Sequence, residues 1–238
     1  MKKLVYISIL CAIIFSVHSC IEQDEYAAPG ETLTGSVIDV NTGEPIRTEQ
    51  GSGIRIRLEE TSWSDEPVPT YFWVKQDGTF NNSKVFRGTY TVTPVDGPYF
   101  PIEGKSVEIN GTTEVDFEVE PFLNVEITNL EQNGGDVEVS FTISRSTEAF
   151  KITDARVFVS NTQYVGNNTY LNNKTGQDLT PTVNLNSTPD DEILSTTHTL
   201  DVVGMESGRT YYLRVGARTN DDVQRRYNYS EIVPVTVP

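Results

Sequence analysis

The run Ile54-Arg55-Ile56-Arg57-Leu58 alternates apolar and basic residues at a period of two. This puts Ile54, Ile56 and Leu58 on one face of an extended strand and both arginines on the other. That is the pattern of a half-buried strand. Similar short runs recur at Thr32 to Asp39, Arg87 to Pro94, Ser106 to Ile109 and Val115 to Val119, separated by turn residues such as Asn41-Thr42-Gly43-Glu44-Pro45 and Asp77-Gly78. Val, Thr and Tyr are plentiful, and no Ala- or Leu-rich run keeps a helical period. The expected fold class is all-β.

Past Leu123 the alternation restarts. Leu123 to Ile127 and Asp136 to Ile143 flank Asn133-Gly134-Gly135, so a hairpin is expected. Further strands are expected at Ala155 to Val159, Thr197 to Asp201, Ser207 to Thr219 and Glu231 to Val237. Residues 160–195 are rich in Asn, Thr, Asp and Gly. They are too polar to form a core and too long for an ordinary sandwich loop, which marks them as the variable or functional surface of the second half. The whole reads as two β-sandwich domains in tandem, residues 31–121 and 122–238.

Ahead of them, Lys2 and Lys3 precede an apolar run from Leu4 to Val17, and the small Ser19 precedes Cys20. These are the three parts of a signal peptide, assigned to residues 1–19. The run is shorter than the roughly 20 apolar residues of a membrane span and gives way to the acidic stretch Ile21 to Tyr26. Val17-His18-Ser19-Cys20 resembles the lipobox of bacterial lipoproteins, with His18 departing from the usual small or apolar residue. The resemblance implies acylation of Cys20 and a mature protein tethered by lipid, with residues 20–30 as lipidated cysteine and linker. A plain secretory signal that leaves Cys20 as a free thiol is the alternative. Cys11 lies in the removed segment, so the mature chain has no disulfide partner for Cys20. Glu22, Asp24 and Glu25 resemble the acidic signal that sends Bacteroidetes lipoproteins to the outer face of the outer membrane, and a solvated linker accounts for the same residues.

Cleavage after Ser19 removes Lys2 and Lys3 and no acid, so 18 Lys+Arg become 16 against 34 Asp+Glu and the net charge moves from -16 to -18. Nucleic acid and anionic headgroups are poor partners for such a chain. Membrane contact is expected through the lipid anchor only.

The ordered elements Gly35, Val37, Asp39, Thr42, Gly43, Pro45 and Ile46, then Asp77, Gly78 and Phe80, then Gly88, Tyr90 and Val92 resemble the carboxypeptidase regulatory-like, transthyretin-like β-sandwich. That resemblance implies a module that extends, stabilises or attaches other proteins without catalysing a reaction. Gly208-Arg209-Thr210-Tyr211-Tyr212-Leu213-Arg214-Val215-Gly216-Ala217 resembles the late strands of a fibronectin type III or Ig-like domain, which implies that Tyr211 or Tyr212 holds a tyrosine corner. Together with the lipobox and Arg225-Arg226-Tyr227-Asn228-Tyr229-Ser230, the chain resembles a family of uncharacterised two-domain lipoproteins of gut Bacteroidetes. Members of that family often accompany starch-utilisation-type glycan import systems.

Reactive chemistry has little to stand on. The expected mature chain has one histidine, His198, in a Thr-rich strand pattern far from any nucleophile motif, and no P-loop, dinucleotide or G-x-S-x-G motif. No catalytic residue, metal site or cofactor is expected, and the chain is read as a non-enzyme. The acidic clusters Asp190-Asp191-Glu192 and Asp221-Asp222 lack calcium-loop spacing and read as solvated loops. A glycosidase with two facing carboxylates is the enzymatic rival.

Aromatic side chains carry the binding expectation, because a sugar ring presents an apolar C–H face that stacks on Trp or Tyr. The candidates are Trp63, Tyr71 and Trp73, with Phe72 on the opposite strand face, then Tyr99 beside Phe100 on a Pro-flanked loop, and Arg225, Tyr227 and Tyr229. Packing in the sandwich is the competing account for each. The function expected is a surface lipoprotein that assists capture or import of a glycan. Its rival is an interaction module bound to an outer-membrane transporter or neighbouring lipoprotein, with an exposed apolar patch or free strand edge.

Overall fold

The computed structural model describes residues 27–221 and 224–238; the signal segment and Cys20 lie outside the described residues. The first domain has eight strands: β1 (Glu31–Asp39), β2 (Arg55–Glu60), β3 (Thr70–Trp73), β4 (Thr79–Val85), β5 (Gly88–Val95), β6 (Lys105–Ile109), β7 (Thr112–Glu114) and β8 (Phe117–Val119). One sheet pairs β4 antiparallel with β1, whose other edge takes β7 and then β8 in parallel. The second sheet runs β3-β2-β5-β6, all antiparallel.

The period-two pattern decides what faces inward. Ile54, Ile56 and Leu58 are buried with Leu33, Val37, Phe80, Val92 and Phe117 between the sheets, while Arg55 and Arg57 point outward. The strand expected over Val115 to Val119 forms only from Phe117, with Val115 and Asp116 as a break between it and β7. At the break the Val115 N–H donates to the Thr34 carbonyl (2.9 Å) and the Ser36 N–H donates to the Asp116 carboxylate (2.8 Å). A Cβ at Gly35 would lie 1.8 Å from the Val115 carbonyl oxygen, so this approach requires glycine.

The second domain contains β9 (Asn124–Asn133), β10 (Asp136–Ser144), β11 (Ile152–Ser160), β12 (Thr182–Asn184), a short helix α1 (Asp190–Ser195), β13 (His198–Val202), β14 (Thr210–Thr219), β15 (Asn228–Tyr229) and β16 (Val233–Thr236). Its sheets are β13-β10-β9 and β12-β11-β14-β15, with β16 pairing farther along β14. The expected hairpin is β9-β10, in register from Asn133 opposite Asp136 and with Gly134 at φ +60° in the turn. Val139, Phe141, Val157, Val159, Leu213 and Val215 fill the core. The tyrosine corner is Tyr211, whose hydroxyl accepts the Glu206 N–H at 3.0 Å. His198 is structural: its ring stacks on Phe141 and its Nε2 lies 2.9 Å from the Ile193 carbonyl.

Residues 160–195 are not simply a polar surface. They supply β12, α1 and the buried Val165, Leu179, Leu185 and Ile193, apolar residues too widely spaced to show a period. Nor is Asp190 a solvated loop residue, since it pairs with Lys151 (2.5 Å) and Arg145 (3.1 Å). Asp221 is likewise buried, and Asp222 lies outside the described residues. Among the described residues no helix is long and apolar enough to cross a membrane.

The junction between the sandwiches is built on a buried cation. Arg214 of β14 has no exposed surface, and its Nη1 donates to the carbonyls of Thr48 (2.7 Å) and Val165 (3.4 Å), its Nε to that of Ser230 (2.9 Å). The guanidinium lies 4.2 Å from the centre of the Tyr229 ring. The Tyr229 hydroxyl donates to Glu49 of the first domain (2.7 Å), which also accepts the Asn168 N–H. Burial pushes the Arg214 pKa down to about 10, with Tyr229 and Glu49 opposing that fall, so the group stays charged at neutral pH. Removing one member of such a set strands the others. Arg214→Ala is expected to lower the unfolding free energy by about 3–5 kcal/mol in a urea titration; a loss near zero would mean the junction does not depend on it.

Candidate functional site

Tyr71 and Trp73 stand side by side on the outer face of β3, an edge strand, because successive side chains alternate across a strand. Phe72 turns inward and meets Phe80 edge-on, ring centres 6.0 Å apart. In the register of β2 with β3, Arg55 sits opposite Trp73 and Arg57 opposite Tyr71. The Arg55 guanidinium lies 4.4 Å from the Tyr71 ring centre and 5.6 Å from that of Trp73, which holds both rings while leaving Tyr71 45% and Trp73 40% exposed. Arg55 is itself fixed by Asp96, which accepts its Nε at 2.5 Å. Asp96 adopts φ +65°, a left-handed conformation that short polar residues enter more readily than others, and this turn aims its carboxylate at Arg55.

This shelf borders the domain junction. Arg226 lies within electrostatic reach of both Asp96 and Arg55 and lines an open hollow of about 210 Å³ with Ser52, Asn167, Gln224, Arg225 and Tyr229. Arg225 is exposed at φ +49°, and the backbone N–H groups of Gln224 and Arg225 donate to one Asp221 carboxylate oxygen at 3.1 and 3.3 Å.

The remaining candidates divide. Trp63 is in the loop after β2, where it lines a different hollow with Phe86 and Glu60. Tyr99, Tyr227 and Tyr229 are corrections to the sequence reading, because all three are buried, Tyr227 and Tyr229 forming part of the wall of the hollow rather than an exposed platform. Tyr99 packs in the first core although it follows a proline, while its neighbour Phe100 crosses to Phe122 and Phe150 of the second domain. Tyr227 donates its hydroxyl to Asp154 at 2.7 Å and rests edge-on against Phe158, and Tyr229 is locked to Glu49. Arg55 and Asp96 are the site residues that sequence reasoning missed. Arg55 showed only as an outward strand residue, and nothing local signals that the turn at Asp96 returns to it.

The shelf presents stacking rings, a forked donor and a carboxylate acceptor within one patch, which suits non-covalent recognition of a flat polyhydroxylated ring. Among the described residues no three His, Cys, Asp or Glu side chains converge as metal ligands.

The sequence profile described as the N-terminal domain of a protein of unknown function, DUF3823, matches residues 31–120, and the profile of the domain DUF3823_C matches residues 123–234. Among solved structures, the chain is similar to a DUF3823 family protein from Bacteroides uniformis, with 33% identity and a TM-score of 0.78 over 88% of this chain and 100% of that one. It is also similar to a protein of the same species described provisionally as carbohydrate binding, with 23% identity and a TM-score of 0.73 over 87% and 99% of the two chains. A DUF3823 family protein from Parabacteroides merdae shares 23% identity at a TM-score of 0.70, over 88% of this chain and 100% of its own. These last two likenesses show a common fold. Curated proteins give no match.

The buried tyrosines make the fold sensitive to alkali. Burial, then the nearby Glu60, pushes Tyr90 up to about 12, and burial likewise raises Tyr99, Tyr227 and Tyr229. A folded pKa above the ordinary value of 10.0 leaves stability intact below pH 10. Above it the unfolded chain ionises first, and stability is lost as the pH climbs toward the folded value. Resistance to urea should fall between pH 10 and about 12, with tyrosinate absorbance from these residues rising together with loss of tertiary circular dichroism. Ionisation of all tyrosines well before unfolding would contradict their burial.

Proposed function

The chain belongs to the DUF3823 family through both of its domains, and from that premise we propose that it is a non-catalytic, lipid-anchored protein of the outer membrane, facing the cell exterior. Its role on this reading is to hold an uncharged carbohydrate on the Tyr71–Trp73 shelf and so assist glycan capture or import.

The observation that carries the reading is the shelf itself. Two partly exposed aromatic rings on an edge strand are braced by an arginine that a turn aspartate holds in place. Side chains needed only for packing would face Phe80, as Phe72 does. The fold shared at 23% identity with a protein described only provisionally as carbohydrate binding is consistent with it. The anchor rests on Val17-His18-Ser19-Cys20, with the acidic residues after it indicating the outward face.

A second reading has an observation of its own. β3 and β4 are both sheet edges, and the open seam between them, about 310 Å³, is lined by Val68, Thr70, Phe72, Val85 and Phe86. An unpaired apolar edge suits a protein neighbour such as an outer-membrane transporter or another lipoprotein.

A polysaccharide affinity-gel and glycan-array screen separates the two. Retention on a neutral glycan is expected to weaken at least about tenfold, or about 1.4 kcal/mol, in Trp73→Ala and in Tyr71→Ala, with thermal melts that match the parent. Absence of retention on any glycan would overturn the carbohydrate reading and transfer the role to the β3–β4 seam, tested by cross-linking to the purified transporter.

A further inference from the structure

The lining of the β3–β4 seam continues to an end of the first domain that lies away from the junction. At the end of the first domain Trp63 is 79% exposed, Val68 85% and Phe86 47%. Trp63 and Phe86 line an open hollow of about 670 Å³ with Ala27, Ala28 and Gly30, and Phe86 also lines the seam that reaches Val68. Phe86 is common to both hollows and so links Trp63 with Val68 in a strip, with Glu31, Glu60 and Arg87 also lining the first hollow and Tyr71 and Lys84 the second. Single exposed apolar residues need no explanation, but a contiguous strip marks a contact surface.

The course of the chain indicates what it contacts. Ala27 to Gly30 form one wall of the hollow, and Cys20 precedes Ala27 by seven residues. A chain extends at most about 3.3–3.6 Å per residue, so Cys20 cannot lie farther than about 25 Å from the hollow. From there β1 starts at Glu31, which lines the hollow, and ends at Asp39, which lines the interdomain cleft with Leu123 and Tyr229. At about 3.3 Å per residue the strip and the second domain are therefore about 26 Å apart, at opposite ends of one strand.

We propose that this end of the first domain docks on the lipid bilayer, with Trp63, Phe86 and Val68 entering the headgroup boundary beside the acylated Cys20. The proposal rests on the lipid-anchor reading above. Tryptophan is favoured at that boundary because its ring is apolar and its N–H stays hydrated. The occupant is a zwitterionic lipid surface, since a mature chain of net charge -18 is repelled by anionic headgroups. Docking stands β1 upright on the membrane and projects the second domain outward.

The chain from Cys20 onward keeps both sandwiches and a single thiol, so it can be coupled to a maleimide lipid in phosphatidylcholine vesicles without cellular acylation. Trp63 and Trp73 are its two tryptophans, so Trp73→Phe isolates the emission of Trp63 and Trp63→Phe that of Trp73. Brominated phosphatidylcholine should quench Trp63 about twofold or more and leave Trp73 unaffected. Equal Trp63 emission on brominated and ordinary vesicles would overturn docking, whether the strip stays in water or sedimentation shows a second copy covering it. Acyl labelling of the full chain in a lipoprotein-processing host, lost in Cys20→Ser, reads the anchor separately. Label without quenching removes docking alone, and no label removes the anchor on which it rests.

Discussion

A guanidinium sealed from water holds this molecule together. Arg214 arises from an otherwise apolar stretch of β14, and its hydrogen bonds end on carbonyls from three places: the first domain at Thr48, the long connection at Val165 and the last loop at Ser230. Taking an arginine out of water is costly, and here the cost is offset by carbonyls on Nε and Nη1, a ring face and the field of Glu49, while Nη2 has no hydrogen-bond partner. Those partners exist together only when the two sandwiches are docked. The cation therefore makes docking specific as well as favourable, because a slipped junction would leave a charge buried without partners. The surface contacts around it, Arg47 to Glu231 and Gln76 to the Gln163 carbonyl, are exposed and add little beside it.

Fixing the junction has consequences for both ends of the first domain. At one end Asp96 leaves β5 through a left-handed turn. Tyr99 is driven into the core two residues after Gly97, where a Cβ would fall 1.9 Å from the Tyr99 ring. The same turn therefore closes the junction and positions the carboxylate under Arg55. Shelf and junction share one structural support. The other end, where Glu31 begins β1, has no second sandwich to cover it, and there the apolar side chains of Trp63 and Phe86 remain outside.

Much of the fold was legible because it is local. Alternation at Ile54 to Leu58 placed three residues in the core, and Asn133-Gly134-Gly135 located the hairpin, since strand period and turn chemistry act over a few residues. The aromatic candidates were less legible. Whether a tyrosine is a platform or a buried strut depends on a partner that sequence proximity does not reveal. Tyr229 is buried because Glu49, 180 residues earlier, meets its hydroxyl, and Tyr227 because Asp154 and Phe158 enclose it. Tyr71 and Trp73 stay outside because they alternate onto the face of β3 opposite to Phe72, and no described element packs over that face. Residues 160–195 hid their role for the same reason. Val165 and Ile193 each plug a gap defined by strands far away in sequence.

The electrostatics of the shelf bear on the kind of ligand such a surface accepts. Arg55 is matched by Asp96, so the patch carries donors and acceptors with no net charge of its own, inside a chain whose overall charge is -16. A long-range negative field disfavours the approach of polyanions before any contact forms, and at short range the paired arginine has part of its donor capacity already committed. What remains exposed is weaker and directional: the aromatic rings and the outer part of the Arg55 guanidinium, the Asp96 carboxylate being largely covered. A neutral sugar ring, with an apolar C–H face and hydroxyls at its rim, meets each of these in kind.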